Sequence, residues 1–255
     1  MDFKVQRNDI TNVEVDAIVC PQNPMLKEGP GTSVAIFEKA GRSRLKKACA
    51  QKGEVRVGST VVTSAFDLPS KIILHTVVPK WRGGNHHEYE QLCEAYLSAL
   101  SVADSAGCES LAFPLLSSGN NGFDLGLAAG VAIRSIHEFE PKNKLSLVYL
   151  VTYGRRATQF MRDRGYEVED IIDERYVQEN DERYKSDVVH AVNAAKDAAQ
   201  PFVDQAIKVA EDLVNDPEFQ VKLRDMAVGI VAGVVERKVP GAGEVLKVLN
   251  TLVGR

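Results

Sequence analysis

Residues 113–124 have the sequence FPLLSSGNNGFD, and this stretch decides the expected fold. It continues a predicted buried strand, Ser110 to Leu115, and leads into a helical pattern from Asp124 to Glu138. Two hydroxyls, two glycines and two amides stand within six residues, which is typical of a loop whose backbone N–H groups surround an anion. A polar turn without a ligand is the alternative interpretation.

The alternation of strands and helices extends over the first two thirds of the chain. Further strands are predicted at residues 16–20, 57–64, 71–78 and 145–152, with further helices at 33–50 and 87–106. Strands separated by helices predict an α/β sandwich with a largely parallel sheet. Ligands of such sheets bind at the carboxyl ends of the strands, so the loops that follow strands are the candidate sites.

A second candidate loop follows the strand that ends at Cys20. Residues 21–33, PQNPMLKEGPGTS, lead into a helix, and a helix N-terminus offers unbonded N–H groups and the positive end of the helix dipole. Many α/β proteins have such a loop and no ligand. Here, however, two such loops follow two strands of one sheet, so we expect both loops to open at the same edge. Together they could hold a diphosphate from two sides.

The last third of the chain has a different pattern. Residues 169–184 are polar and are predicted to be a linker, within which a strand end and then a linker or short helix are expected from Asp170 to Lys185. Residues 185–255 are predicted to form an all-α helical hairpin or small bundle. Packing of this helical part within itself or on the first domain is the favoured interpretation; self-association or a partner helix is the alternative, and membrane contact is the least favoured. The apolar seam follows a spacing of four and three over more than three heptads: Val188, Val192, Ala195, Ala199, Phe202, Ala206, Val209 and Leu213.

Composition and charge exclude several classes of protein. The chain is 44% hydrophobic and 26% charged, as in ordinary globular proteins, and its formal charge of -4 gives no broad basic surface for nucleic acid. The N-terminus has no apolar signal-peptide region, and the longest uncharged apolar run, Met226 to Val235, is far shorter than the roughly 18 residues that span a bilayer. Four cysteines without a CxxC pair predict reduced thiols in a cytoplasmic protein and no zinc site.

The histidines and the tryptophan are not expected to carry chemistry. His86 and His87 lie in a loop and are expected to be solvated, because no cysteine or carboxylate spacing supplies the other ligands of a metal. Trp81 is expected to be a packing residue.

Taken in order, a set of motifs resembles the macrodomain family over residues 1–165. The resemblance implies a three-layer α/β/α macrodomain at residues 1–168 with a mixed, largely parallel sheet. It also implies binding of ADP-ribose or a related NAD-derived nucleotide, free or attached to a protein, with no cofactor and no metal. The motifs are Asp9-Ile10-Thr11, Val15 to Val19, Ala35-Ile36, Ala40-Gly41, Leu68-Pro69, Ile73 to Trp81, Ala112-Phe113-Pro114 and Ser117 to Phe123.

The resemblance implies roles for individual residues, and it places His75 at a structural position, where an interior histidine is expected. Asp9 corresponds to the acidic residue that accepts a hydrogen bond from the adenine amino group. Ile10, which follows it, is also a candidate ligand-binding residue. Asn23 corresponds to the asparagine that holds the distal ribose, and Tyr153 is equally a candidate for stacking on adenine and for a place in the core. The phosphate loops correspond to Gly29, Pro30, Gly31, Thr32 and Ser33, and to Ser117, Ser118, Gly119, Asn120, Asn121 and Gly122, with Phe123 packing on the distal ribose.

The first loop departs from a pattern found in one large hydrolytic group of macrodomains. That group has two asparagines before the glycines and an acidic residue after them, whereas this chain has Cys20 and Ser33 at the first and last of these positions. General-base assistance is worth about 10²–10⁴-fold in rate, so binding is favoured over hydrolysis. If the chain does hydrolyse ADP-ribosyl groups, Asn23 and Glu28 are the candidate catalytic residues. A third hypothesis is an interaction protein that acts through its C-terminal helices.

Overall fold

A computed structural model describes residues 1–181 of the chain. Met1–Asn180 form one compact unit, which therefore includes most of the segment that the sequence places in a linker at 169–184. The predicted helices at 185–255 lie outside the described residues.

The described residues form a seven-stranded sheet in the order β3-β4-β2-β5-β6-β1-β7. Only the β3–β4 pair at one edge is antiparallel, and every other pair is parallel, which confirms the predicted mixed, largely parallel sheet. The strands are β1 (Asp2–Arg7), β2 (Ala17–Gln22), β3 (Thr60–Ser64), β4 (Ile72–Val77), β5 (Ser110–Pro114), β6 (Leu147–Thr152) and β7 (Val168–Asp170).

Helices cover both faces of the sheet. Residues 174–181 are also helical, and Ile10–Asn12 form a short 3-10 turn after β1. Within residues 1–181 no helix has the length and apolar composition that crossing a membrane requires. The helices are α1 (Thr32–Lys39), α2 (Arg42–Ala50), α3 (Glu88–Ser105), α4 (Leu125–Glu138) and α5 (Arg155–Asp163).

The alternation of side chains along the strands produces the three layers. Successive residues of a strand point to opposite faces, so β2 contributes Val19 to one core and Ile18 and Cys20 to the other. The first core packs against α3, α4 and α5, and the second packs against α1 and α2. Because the central strands are covered on both sides, they consist almost entirely of apolar residues, as parallel sheets require.

The structure corrects the sequence prediction in four places. The helix expected at 33–50 is two helices, because Gly41 adopts a left-handed backbone with φ of 90° between them. Strand β1 and helix α5 were not predicted, and of β7 only a strand end at Asp170 was. Their sequences are polar, and each buries few side chains: Val5 in β1, and Thr158 and Met161 in α5.

The parallel pairing of β2 with β5 positions the candidate site. Ala17 and Ile18 of β2 pair with Leu111 and Ala112 of β5, so the two strands run side by side in the same direction. Their carboxyl ends, and therefore the two polar loops that follow them, lie at the same edge of the sheet.

His75 is an interior residue of β4, as predicted. Its ring is fully buried, and its Nε2 lies 2.8 Å from Thr63 Oγ1. Burial, reinforced by the positive charge of Lys52, lowers the pKa of His75 from 6.5 to about 4, because the charged imidazolium would lose its hydration. The histidine is therefore neutral at physiological pH and has no open position for a metal.

The depressed pKa of His75 predicts a loss of stability in acid. Between the folded pKa of about 4 and the unfolded pKa of 6.5, the unfolded chain binds a proton that the folded chain does not, so stability falls as pH falls through this window. The contribution is about 3 kcal/mol of unfolding free energy over the whole window. Urea unfolding of wild type and His75→Gln from pH 7 to pH 4 measures it: the variant has the shallower pH dependence. The exposed His137→Gln variant is the matched control, and equal slopes for all three proteins would refute the prediction.

Candidate nucleotide-binding cleft

The second loop, residues 115–124, is held by hydrogen bonds to the core. Ser117 takes a left-handed backbone, with φ of 62°, and its buried hydroxyl donates to the carbonyl of Pro79 at 3.0 Å. The hydroxyl of Ser118 donates to the carbonyl of Leu115 at 2.9 Å, and the N–H of Trp81 donates to the carbonyl of Asn121 at 2.8 Å. The loop is therefore preorganised before any ligand arrives.

This arrangement leaves a row of backbone donors unused. No described residue accepts a hydrogen bond from the N–H groups of residues 118–121. Gly119 and Asn120 are exposed, so these donors lie at the surface of the loop. Consecutive unbonded N–H groups form a concave partial positive charge that suits a phosphate.

The first loop, residues 21–33, ends at an uncapped helix. Gly31 has φ of 71° and makes no side-chain cap to α1, and no described residue accepts from the N–H groups of Thr32, Ser33 and Val34. The loop is anchored by Leu26, which is buried and whose N–H donates to the carbonyl of Asn23 at 2.9 Å. The start of α1 therefore supplies further donors and the positive end of a helix dipole.

The two loops approach each other at this edge of the sheet. A Cβ atom built on Gly31 would lie 3.5 Å from Nδ2 of Asn120. Pro30 and Gly31 are exposed on one side, and Gly119 and Asn120 are exposed on the other. The structure thus brings together the two sets of donors that the sequence predicts to hold a diphosphate from two sides.

Asn23 organises the first loop with most of its amide. Its Oδ1 accepts from the N–H groups of Met25 and Lys27 at 3.1 and 3.2 Å, and its Nδ2 donates to the carbonyl of Lys27 at 2.6 Å. An amide nitrogen carries two hydrogens, so one donor remains for a ribose hydroxyl. The role predicted for Asn23 is compatible with this geometry.

Glu28 is held away from a catalytic role by two cations. Arg42 Nε lies 2.8 Å from one of its carboxylate oxygens and Lys46 Nζ lies 2.7 Å from the other. Both cations belong to α2. Each oxygen is thus paired with a cation, which ties the carboxylate to α2, although each oxygen keeps a second lone pair. The geometry therefore favours a structural role for Glu28 at the base of the first loop.

Cys20, Gln22 and Ser33 form a buried neutral cluster at the end of β2. Gln22 Nε2 lies 3.2 Å from Cys20 Sγ and 3.4 Å from Ser33 Oγ, and the N–H of Gly29 donates to Ser33 Oγ at 3.1 Å. Burial, only partly offset by hydrogen bonds from Gln22 and Ser33, raises the pKa of Cys20 to about 12, so the thiol is not a nucleophile at neutral pH. Gln22 was missed by sequence reasoning. It stands directly before Asn23 at a strand end, and that position was the available signal.

The residues predicted to hold the adenine lie together after β1 and β6. Asp9 caps the 3-10 turn: its Oδ1 accepts from the N–H and the hydroxyl of Thr11 at 2.9 and 2.7 Å. Asp9 Oδ2 accepts from the hydroxyl of Tyr176 at 3.0 Å. Ile10 is buried, and Tyr153 is half-buried with its hydroxyl bonded to the carbonyl of Val177 at 3.5 Å. Tyr176 and Val177 were missed, because they lie in a polar segment without a recognisable pattern.

Phe123 lies beneath the second loop. Its ring is 3% exposed and packs edge-on against Trp81 and Tyr89, with centroids 5.0 and 6.3 Å away. Trp81 is a packing residue, as predicted. The ring of Phe123 supports the loop from below, and contact with a distal ribose would require part of this cluster to open.

The loop before α3 is built around a carboxylate. Glu88 is buried and accepts from the N–H groups of Arg82, Gly84 and His86. Although burial opposes ionisation, these donors hold the pKa of Glu88 near 2. His86 and His87 are exposed, and among residues 1–181 no group of three His, Cys, Asp or Glu side chains could hold a metal ion.

Comparison with known proteins identifies the fold family. The family model of the Macro domain matches residues 19–132. The O-acetyl-ADP-ribose deacetylase of Citrobacter rodentium is 41% identical over 160 residues, which cover 61% of this chain and 90% of that protein. The chain belongs to the macrodomain family.

Solved macrodomain structures share the fold and contain related ligands. The Oceanobacillus iheyensis macrodomain with ADP has a TM-score of 0.58 and 32% identity, covering 62% of this chain and 86% of that one. The Trypanosoma brucei macrodomain in complex with ADP-ribose has a TM-score of 0.56 and 26% identity, covering 64% and 68%. The predicted family and three-layer fold are therefore confirmed for the macrodomain part of the chain.

Proposed function

We propose that this macrodomain binds ADP-ribose, free or attached to a protein, in the cleft between its two loops. The observation that carries the proposal is the row of unbonded N–H groups at residues 118–121, which lies opposite the uncapped start of α1. Two facing sets of donors match the two phosphates of a diphosphate. Similar macrodomains have been solved with ADP and with ADP-ribose, which supports the same ligand class here.

Hydrolysis is the second candidate, and the names of the relatives favour it. Several proteins about 40% identical to this chain are O-acetyl-ADP-ribose deacetylases. Against it, the position of the expected acidic residue holds Ser33, a neutral side chain that is 4% exposed, and the nearby carboxylate of Glu28 is engaged by Arg42 and Lys46. Without a base, water at the distal ribose lacks assistance worth about 10²–10⁴-fold in rate. Binding is therefore the function that the site supports best.

The diphosphate site predicts that a negative charge on the second loop weakens binding. Asn120→Asp keeps the shape of the side chain and adds a carboxylate beside Gly31, where it repels the diphosphate. The dissociation constant for ADP-ribose, measured by calorimetry, is expected to rise roughly tenfold or more. Gln51→Glu, the same change at an exposed position after α2, is the control for net charge. Equal affinities of Asn120→Asp and wild type would place the diphosphate elsewhere, and no binding by wild type at millimolar ADP-ribose would refute the function.

The neutral cluster predicts a protein that binds without rapid turnover. Incubation with O-acetyl-ADP-ribose and with ADP-ribosylated protein, followed by chromatography of the products, is expected to leave the substrates intact on a timescale of seconds to minutes. Release of ADP-ribose that is lost in Asn23→Ala, with the melting temperature preserved, would overturn the preference for binding. If Glu28→Gln also no longer releases ADP-ribose, Glu28 is the general base.

Two proposals from the sequence concern the cell and the C-terminal part. We propose a cytoplasmic location, because the spacing of the four cysteines is not that of a disulfide framework. We also propose self-association or binding of a partner helix through residues 185–255, because these residues have a heptad pattern. Light scattering of the full chain and of a shortened chain ending at Asn180 tests self-association. A particle mass of two or more chains is expected for the full chain only. If the full chain and the shortened chain are both monomeric, self-association is excluded.

A further inference from the structure

The helical segment 174–181 touches the adenine end of the cleft through Tyr176. The Tyr176 hydroxyl donates to Asp9 Oδ2 at 3.0 Å and accepts from Asn12 Nδ2 at 3.0 Å. A phenol hydroxyl has one hydrogen, so this hydrogen is committed to Asp9. The contact joins residues 167 positions apart in the chain.

Asp9 has no free access for a ligand in this state. Its Oδ1 already accepts two hydrogen bonds from Thr11, its Oδ2 accepts from Tyr176, and the residue is only 4% exposed. The adenine amino group needs the same carboxylate. Oδ2 can accept a second hydrogen bond, but Asp9 is 4% exposed and the Tyr176 hydroxyl lies at this oxygen, so the amino group and the hydroxyl compete for the same place.

The second residue predicted to contact adenine is bound to the same segment. The Tyr153 hydroxyl donates to the carbonyl of Val177 at 3.5 Å, and Val177 is buried. Both candidate base contacts, which lie after different strands, are therefore hydrogen-bonded to adjacent residues of one helical turn. This coincidence indicates that the segment occupies the base end of the cleft and not an unrelated surface.

Two backbone hydrogen bonds and one ion pair attach the segment to Arg7 at the end of β1. The N–H groups of Ile171 and Ile172 donate to the carbonyl of Arg7 at 3.0 and 3.3 Å, and Arg7 forms an ion pair with Glu174, whose side chain is 49% exposed. The Arg7 side chain is itself 11% exposed, so the ion pair is open to solvent on the Glu174 side alone. Tyr176 also lines a cavity of about 470 Å³ beside Arg7.

We propose that residues 171–181 form a clasp that competes with the base of the ligand for Asp9. The clasp deepens the proposed ADP-ribose function and rests on it. In the closed state the Tyr176 hydroxyl occupies the position of the adenine amino group, and in the bound state the base displaces it. The apparent affinity for ADP-ribose is then lowered by the fraction of molecules that are closed.

Tyr176→Phe tests the competition in the full-length protein. The substitution removes only the hydroxyl that donates to Asp9 and keeps the ring. Calorimetry is expected to show roughly fivefold tighter binding of ADP-ribose, because a hydrogen bond to a carboxylate no longer has to be broken. The affinity for inorganic pyrophosphate, which has no base, is expected to stay the same.

Matched measurements separate the alternatives. Tyr166→Phe removes the hydroxyl of a partly buried tyrosine that packs against Phe3, outside the cleft, and is expected to bind as wild type does. Unchanged or weaker binding of ADP-ribose by Tyr176→Phe, with pyrophosphate binding intact, would refute the clasp while the proposed function stands. If neither wild type nor Tyr176→Phe binds ADP-ribose or pyrophosphate, the proposed function fails and the clasp fails with it.

Hydrogen exchange of the wild-type protein gives a second, independent readout. Saturating ADP-ribose is expected to accelerate exchange at the amides of Ile171 and Ile172, whose hydrogen bonds to Arg7 hold the clasp. Pyrophosphate is expected to leave these amides unchanged. Slower exchange with ADP-ribose would mean that the segment closes over the ligand, and that result would overturn the proposal.

Discussion

The parallel pairing of β2 with β5 is the constraint on which the cleft depends. Parallel neighbours end at the same edge of a sheet, so each strand delivers its polar loop to the same place. The anchors of the loops lie in the core: Leu26 is buried below the first, and Leu116, whose N–H donates to the hydroxyl of Tyr96, lies below the second. Two rigidly held loops can leave backbone donors unbonded without collapsing onto them, which is the condition for an anion site that exists before its ligand.

The sequence predicted those parts of the fold in which burial is continuous. The central strands are covered on both faces and therefore stand out as apolar runs, and the layers follow from their alternation. Strand β1 could not be found in this way, because only Val5 is buried, although the strand lies between β6 and β7. The break at Gly41 was visible as Ala40-Gly41, but an amphipathic pattern on both sides hid it, and only the left-handed backbone reveals two helices.

The roles in the candidate site also fall into a part that the sequence could predict and a part that it could not. Roles that depend on the backbone, such as the donors of residues 118–121, follow from loop composition and could be predicted. Roles that depend on distant side chains could not. The two cations beside Glu28 come from α2, and the hydroxyl beside Asp9 comes from Tyr176, far along the chain. A local pattern contains no information about such partners, so a carboxylate that looks available in the sequence is occupied in the fold.

Charge at the distal end of the cleft connects these observations to function. A diphosphate is attracted by unbonded N–H groups and repelled by any carboxylate nearby, so a base placed for hydrolysis also weakens binding of the ligand. In this chain Ser33 accepts from Gly29 and lies beside Gln22, without charge, and Glu28 is neutralised by Arg42 and Lys46. Ser33 in place of an acidic residue therefore withdraws a base and, under the proposed function, also removes a charge that would repel the diphosphate. Catalysis and affinity respond to this replacement in opposite directions.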